Sequence, residues 1–285
     1  MVRIFTDTAA NLPMKILEEL DIKTVPLTYE VDGVEPDYSI DFNGPAFYEA
    51  MRKGAEVKTS MVNPQTAAQA IEQCLERGED VLYLGISGGI SGSCWGVDLQ
   101  CKELAEKYGQ GRVCVVNTRG ASLGEGLVVI ETARLAKEGG TLSELETFAR
   151  SRCAKMQQFF VVDDLKYLHK GGRISGGARL AGTMLQIKPI LRSDEEGKIV
   201  IYEKVRGKKK ALEALANIYA QSVDDLSAPI GIAHADAPAD ALHLQSLLRD
   251  KGATGEIVHV CYEPVTGAHV GPGTVAMFFN SEQWR

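Results

Sequence analysis

The sequence predicts an α/β protein of two domains: an N-terminal domain with a mostly parallel sheet and a C-terminal α/β domain with a mixed or antiparallel sheet. Three observations carry that expectation. In the first half, short apolar runs, glycine-rich turns and helical patterns follow one another in repeated order, the rhythm of a parallel sheet with crossover helices. In the second half, strand patterns succeed each other without helices between them, which favours antiparallel pairing. Finally, 285 residues at roughly 100–200 residues per domain leave room for two. The change of rhythm places a boundary near residue 155, giving domains 1–155 and 156–285, with a ligand expected in the cleft between them.

In chain order, Val2–Phe5 reads as a short strand, and Leu12-Pro13 opens a helix to Leu20, since proline suits a first helical turn. Ile22–Val31 is β-rich. Asn63-Pro64 starts a helix to Arg77 with Asn63 as its cap. Asp80–Ile86 has the pattern of a buried strand, and a helix follows from Ser91 to Lys107. Arg112–Val116 is a strand before a helix near 120–137. Thr141 caps a helix to about Lys155, with Glu144 completing a capping box. In the second half, Phe159–Val162 is a strand, and Leu185–Leu191 pairs with Ile199–Glu203 around Glu196-Gly197. A helix over 209–221, a strand Ile230–His234, a helix to Lys251, and strands Glu256–Tyr262 and Val275–Phe279 complete the reading.

Composition excludes several classes. With 45% hydrophobic and 24% charged residues the chain is not globally disordered. Its 29 glycines against 10 prolines point to particular backbone positions rather than low complexity. Met1–Asp7 carries an acid at position 7 and lacks a long apolar core, and no stretch reads as a membrane span, so a cytoplasmic protein without stable membrane insertion is expected. Six scattered cysteines without a CxxC pair are expected to be buried free thiols. Lys166 to Lys210 holds twelve basic residues against four acids, a net +8, so the remaining residues sum to −15 within a total of −7. Such a window suits an acidic or nucleotide-bearing partner, while Lys208-Lys209-Lys210 alone reads as a solvated face. It lacks interleaved aromatics, so nucleic acid is not expected.

The densest site signal is Gly85-Ile86-Ser87-Gly88-Gly89-Ile90-Ser91-Gly92-Ser93, between a strand and a helix. Glycines there let backbone N–H groups approach an anion at a helix N-terminus; the alternative is a tight turn with Ser91 as an ordinary cap. The stretch also fits G-x-S-x-G with Ser87 central. A serine hydrolase of acyl esters would use Ser87 as nucleophile and His234 or His269 as base. In Lys58-Thr59-Ser60 two adjacent hydroxyls are available to one oxyanion, or simply cap a loop. His269 lies in Thr266-Gly267-Ala268-His269-Val270-Gly271-Pro272-Gly273, flanked by flexible backbone. His169, His234, His243 and His259 have no zinc-ligand spacing, so neither a metal nor a cofactor is expected.

Together, the segments Phe5–Pro13, Val57–Ser60, Ile86–Ser93, Val161–Ser175, Ile187–Leu191, Arg206–Ala211 and His269 with Gly271-Pro272-Gly273 resemble the DegV family of fatty-acid-binding proteins. The resemblance implies that the chain encloses one long-chain fatty acid in a buried apolar tunnel. Its carboxylate would rest on the Thr59 and Ser91 hydroxyls with His269 nearby, and with Ser60 and Gly92 in the same set. It further implies no catalytic residue of the chain's own. The bound acid would be presented to a separate ATP-dependent fatty-acid kinase subunit across a surface with Lys170, Arg173 and Arg206. A fatty-acid buffer or sensor without that partner is the alternative, and a monomer is expected. Two departures stand out: Gly88 and Ile90 replace a Ser and a Leu frequent in the family, and Ser93-Cys94-Trp95 stands where Thr-Tyr often follows Ser-Gly. These put tunnel shape and chain preference in question.

Overall fold

The computed structural model describes residues 1–37, 41–174 and 186–282. Its elements begin with β1 (Val2–Asp7), α1 (Met14–Leu20), β2 (Lys23–Val25), β3 (Thr28–Val31), α2 (Gly44–Arg52) and β4 (Val57–Ser60). Next come α3 (Pro64–Glu76), β5 (Asp80–Gly85), α4 (Ser93–Tyr108), β6 (Val113–Asn117), α5 (Leu123–Lys137) and α6 (Leu142–Lys155). The remainder is β7 (Met156–Val161), α7 (Lys166–Lys170), β8 (Ile187–Ser193), β9 (Ile199–Arg206), α8 (Lys208–Ser222), β10 (Ile230–His234), α9 (Pro238–Asp250), β11 (Ile257–Cys261), α10 (Pro264–Val270) and β12 (Val275–Asn280). Leu185, expected to begin β8, and Ser175 of the Val161–Ser175 segment lie outside the described residues.

By internal contacts the chain falls into two units, Met1–Thr28 with Ser60–Ala154, and Tyr29–Thr59 with Lys155–Arg285. A change of unit after Ala154 lies where the sequence changes rhythm. Residues 29–59, expected in the first domain, group with the second. The reason is packing: α2 lies on α10, and the buried Tyr48 hydroxyl donates to the Tyr262 carbonyl at 2.8 Å.

In the first unit four parallel strands run in the order β2-β1-β5-β6. Val81, Leu82, Tyr83 and Leu84 of β5 are all fully buried, as a central parallel strand covered on both faces requires. Burying such side chains stabilises by about 1.5–3 kcal/mol each. The expected caps form: Asn63 accepts from the Gln65 and Thr66 amides, and Thr141 and Glu144 cap each other. In the second unit six strands run β11-β10-β12-β7-β8-β9; β10 and β11 are parallel and the other neighbours antiparallel. Helices α8 and α9 bury Leu212, Leu215, Leu244 and Leu248 against Ile230, Ile232, Met277 and Phe279. Asp194 closes the β8–β9 turn by accepting from the Glu196 and Lys198 amides, and Gly197 supplies the left-handed residue at φ +78°. All six cysteines are free; Cys74, Cys94, Cys101 and Cys153 are buried, Cys114 and Cys261 half-buried.

Candidate functional site

The groups singled out in the sequence form two sets, one in each unit. In the second unit, β4 presents Thr59, whose Oγ1 lies 2.9 Å from Nε2 of His269. His269 sits near the end of α10, a helix that Glu263 caps by accepting from the Val265 and Thr266 amides at 2.6 Å. Burial, and then the positive charge of Arg173, hold the imidazole near pKa 4 instead of 6.5. His269 is therefore neutral at pH 7, a hydrogen-bonding group and not a cation. The ring packs close against Gly171, where a Cβ would stand 2.3 Å from Nδ1. A glycine is required by that approach. Arg173 is itself half-buried, which lowers its pKa, and its guanidinium donates to the Gly171 carbonyl.

In the first unit, Asp7 ends β1 fully buried and accepts from the Ala9 amide at 3.0 Å, the Ile86 amide at 3.0 Å and the Tyr83 hydroxyl at 3.1 Å. Burial outweighs these bonds and raises its pKa to about 6. The loop that follows β5 is largely self-satisfied. The Ser87 amide donates to the Gly120 carbonyl, and the Ile90 and Ser91 amides donate to the Ser87 carbonyl. Gly88 donates to Asn117 Oδ1 and Gly89 to Ser87 Oγ. Ser93 N–H donates to Ser91 Oγ at 3.2 Å, and the two hydroxyls are 2.9 Å apart. From Ile86 to Ser93 only the Gly92 amide is not used in this way. A cradle of several loop amides, as expected from the glycines, is therefore not available, because the other amides of the loop are engaged within the protein. Helix α4 starts at Ser93 with Gly92 as cap, not at Ser91: the Gly92 carbonyl accepts the helix's first bond, from the Gly96 amide at 3.0 Å.

The family model described as "Uncharacterised protein, DegV family" matches residues 1–282. The chain belongs to the DegV family. It is 35% identical over 279 residues to a DegV domain-containing protein of Clostridium perfringens, covering 97% of this chain and 96% of that protein. Among solved structures it is similar to a fatty acid binding DegV family protein of Streptococcus agalactiae, with TM-score 0.87, 31% identity and 99% of both chains covered. A DegV family protein of Thermus thermophilus described for its fatty acid binding gives TM-score 0.85 at 29% identity, covering 98% of this chain and 99% of that one.

Against the DegV expectations, Thr59 and His269 are brought together, and Ser91 and Gly92 lie side by side at the start of α4. Thr59 and Ser60 differ in exposure. Successive strand residues point to opposite faces, and here Thr59 is half-buried while Ser60 is exposed. The basic window is also partly spent on internal contacts. Lys170 pairs with Glu56 at 2.9 Å, and Arg206 donates twice to Gln186 Oε1. Lys208, expected on a solvated face, instead turns inward onto the Gly273 carbonyl and Asp163, and burial lowers its pKa. Ser87 is 1% exposed and its oxygen accepts from the Gly89 amide, whereas a nucleophile at a strand–helix turn needs an exposed Oγ. His234 Nδ1 accepts from the Ala237 amide at 3.3 Å. Among the described residues no group of three or more His, Cys, Asp or Glu is placed to hold a metal, and no helix is long and apolar enough to cross a membrane.

Sequence reasoning missed Ser93, Asp7 and Tyr48. Ser93 is fully buried and accepts from the Val62 amide at 3.1 Å, tying the chain after Ser60 to the loop. Its signal was available in the Ser-Gly-Ser repeat. Asp7 signalled itself as an acid ending an apolar strand. Nothing local marked Tyr48, whose partner is 214 residues away.

Proposed function

We propose that this protein binds one long-chain fatty acid and holds its carboxylate with the Thr59 and Ser91 hydroxyls, the Gly92 amide and His269. The observation that carries the reading is the Thr59–His269 pair, neutral and desolvated, in a chain similar over 99% of its length to a fatty acid binding DegV protein. Neutral donors suit the task. Burying a carboxylate without hydrogen bonds is costly, and several donors offset that cost without a full positive charge. A saturated C16 tail adds about 12 kcal/mol of gross transfer free energy at ~0.8 kcal/mol per buried carbon, before ordering costs.

The bound acid is then presented to a separate ATP-dependent kinase subunit. A carboxylate oxygen attacks the γ-phosphorus, the bond from that phosphorus to the β–γ bridging oxygen breaks, and ADP leaves as the acyl phosphate forms. This chain supplies no catalytic group; it works in the cytoplasm as a monomer. The half-buried Arg173, beside His269, and exposed Lys170 and Arg206 form the surface for the partner.

Native mass spectrometry of the purified protein followed by denaturing extraction tests the first step. A stoichiometric C14–C20 acid is expected, with Thr59→Val weakening retention about tenfold, the effect of one hydrogen bond to a charged group. An empty protein labelled by a fluorophosphonate at Ser87 would overturn it. Adding kinase subunit and ATP separates presentation to a kinase from simple buffering: acyl phosphate forms only in the first.

A further inference from the structure

Hydrogen directions in the Ser91–Ser93 pair follow from what surrounds it. Ser93 Oγ is fully buried, accepts from the Val62 amide at 3.1 Å and lies 2.9 Å from Ser91 Oγ. Ser91 Oγ also accepts from the Ser93 amide at 3.2 Å. A serine hydroxyl offers one hydrogen and two lone pairs. Were Ser91 to donate to Ser93, both lone pairs of Ser93 would be filled, and its own hydrogen would be buried with no acceptor, which native structures avoid. With Ser93 donating to Ser91, every group of the pair that is buried is satisfied. Both lone pairs of Ser91 are then occupied, and its hydrogen is the one function left to a ligand. The neighbouring Gly92 amide is likewise a donor.

We infer that Ser93 is a positioning residue that makes Ser91 an obligate hydrogen-bond donor, so that this loop selects a headgroup with acceptors alone, a carboxylate, over an isosteric headgroup that carries hydrogens of its own. The inference rests on the fatty-acid reading above and adds to it a device for headgroup discrimination.

The test is a competition between hexadecanoate and hexadecanamide for delipidated protein, with the bound ratio read by native mass spectrometry. Wild type is expected to favour the acid. In Ser93→Ala a lone pair of Ser91 is released, its hydroxyl turns to accept from an amide N–H, and the acid-to-amide ratio falls about tenfold, the scale of one charge-assisted hydrogen bond. Ser93→Thr keeps an O–H on the same Cβ and is expected to keep the wild-type ratio. A merely structural Ser93 would weaken both ligands equally, so an unchanged ratio in Ser93→Ala overturns the inference. Should Ser93→Ala not fold, a folded Ser93→Thr that loses the ratio overturns it as well. Wild type that takes up neither ligand overturns the fatty-acid reading itself.

Discussion

Acidification is expected to act on His269 in a way that measures its environment directly. In the folded protein its pKa lies near 4 against an ordinary 6.5, and 2.5 units at about 1.36 kcal/mol each amount to about 3 kcal/mol. Because the folded value is the lower one, the neutral ring is favoured by folding. That stability is present above pH 6.5 and is lost as pH falls through 4. Proton NMR of the imidazole Cε1–H across pH 3.5–8 is expected to give a midpoint near 4. Urea unfolding at pH 7 and pH 4 should show wild type losing about 3 kcal/mol more than His269→Gln. On the proposed function, hexadecanoate would place a negative charge beside the ring and move the midpoint upward. A midpoint of 6 or above in the free protein, or equal acid sensitivity in both proteins, would refute the burial and Arg173 repulsion on which the argument rests.

Asp7 has the opposite sign: its folded pKa of about 6 exceeds the ordinary 3.8, so stability is lost as pH rises through 6, about 3 kcal/mol in all and about 2 kcal/mol of it between pH 4 and pH 6. Asp7→Asn should abolish that slope in urea titrations, and a wild-type slope in the variant would contradict it. Gly171→Ala puts a Cβ 2.3 Å from His269 Nδ1; a cost of about 1–3 kcal/mol in thermal unfolding is expected, with a displaced His269 resonance. Arg173→Glu should end acyl phosphate formation with kinase and ATP while hexadecanoate still co-purifies; undiminished turnover would remove Arg173 from the partner surface.

Local chemistry made much of this fold legible. Asn63-Pro64, Thr141 with Glu144, and Glu196-Gly197 each announce a boundary that depends on neighbours a few residues away. Helices α2 and α10 were not read, although Asn43 and Glu263 cap them just as Asn63 caps α3. Gly267 within α10 looked like loop, yet it is there because the Tyr48 hydroxyl occupies the place of a Cβ at 2.0 Å. At the site, residue types at Thr59, Ser91 and His269 were enough to nominate them. Which amides remain available was not legible, because that depends on Asp7, Asn117 and Gly120, brought to the loop by the fold. Nor was the inward turn of Lys208, which answers to Asp163 and the Gly273 carbonyl.

The grouping of residues 29–59 with the C-terminal part also sets a timetable for synthesis. The Tyr262 carbonyl that Tyr48 bonds is made 214 residues after it. At about 5–20 residues per second, α2 waits roughly 10–40 s for its packing partner. Throughout that interval Tyr48, fully buried in the finished protein, lacks the Gly267 backbone against which its hydroxyl packs. A nascent chain of this protein therefore carries Tyr48 without the acceptor of its buried hydroxyl until Tyr262 has been made.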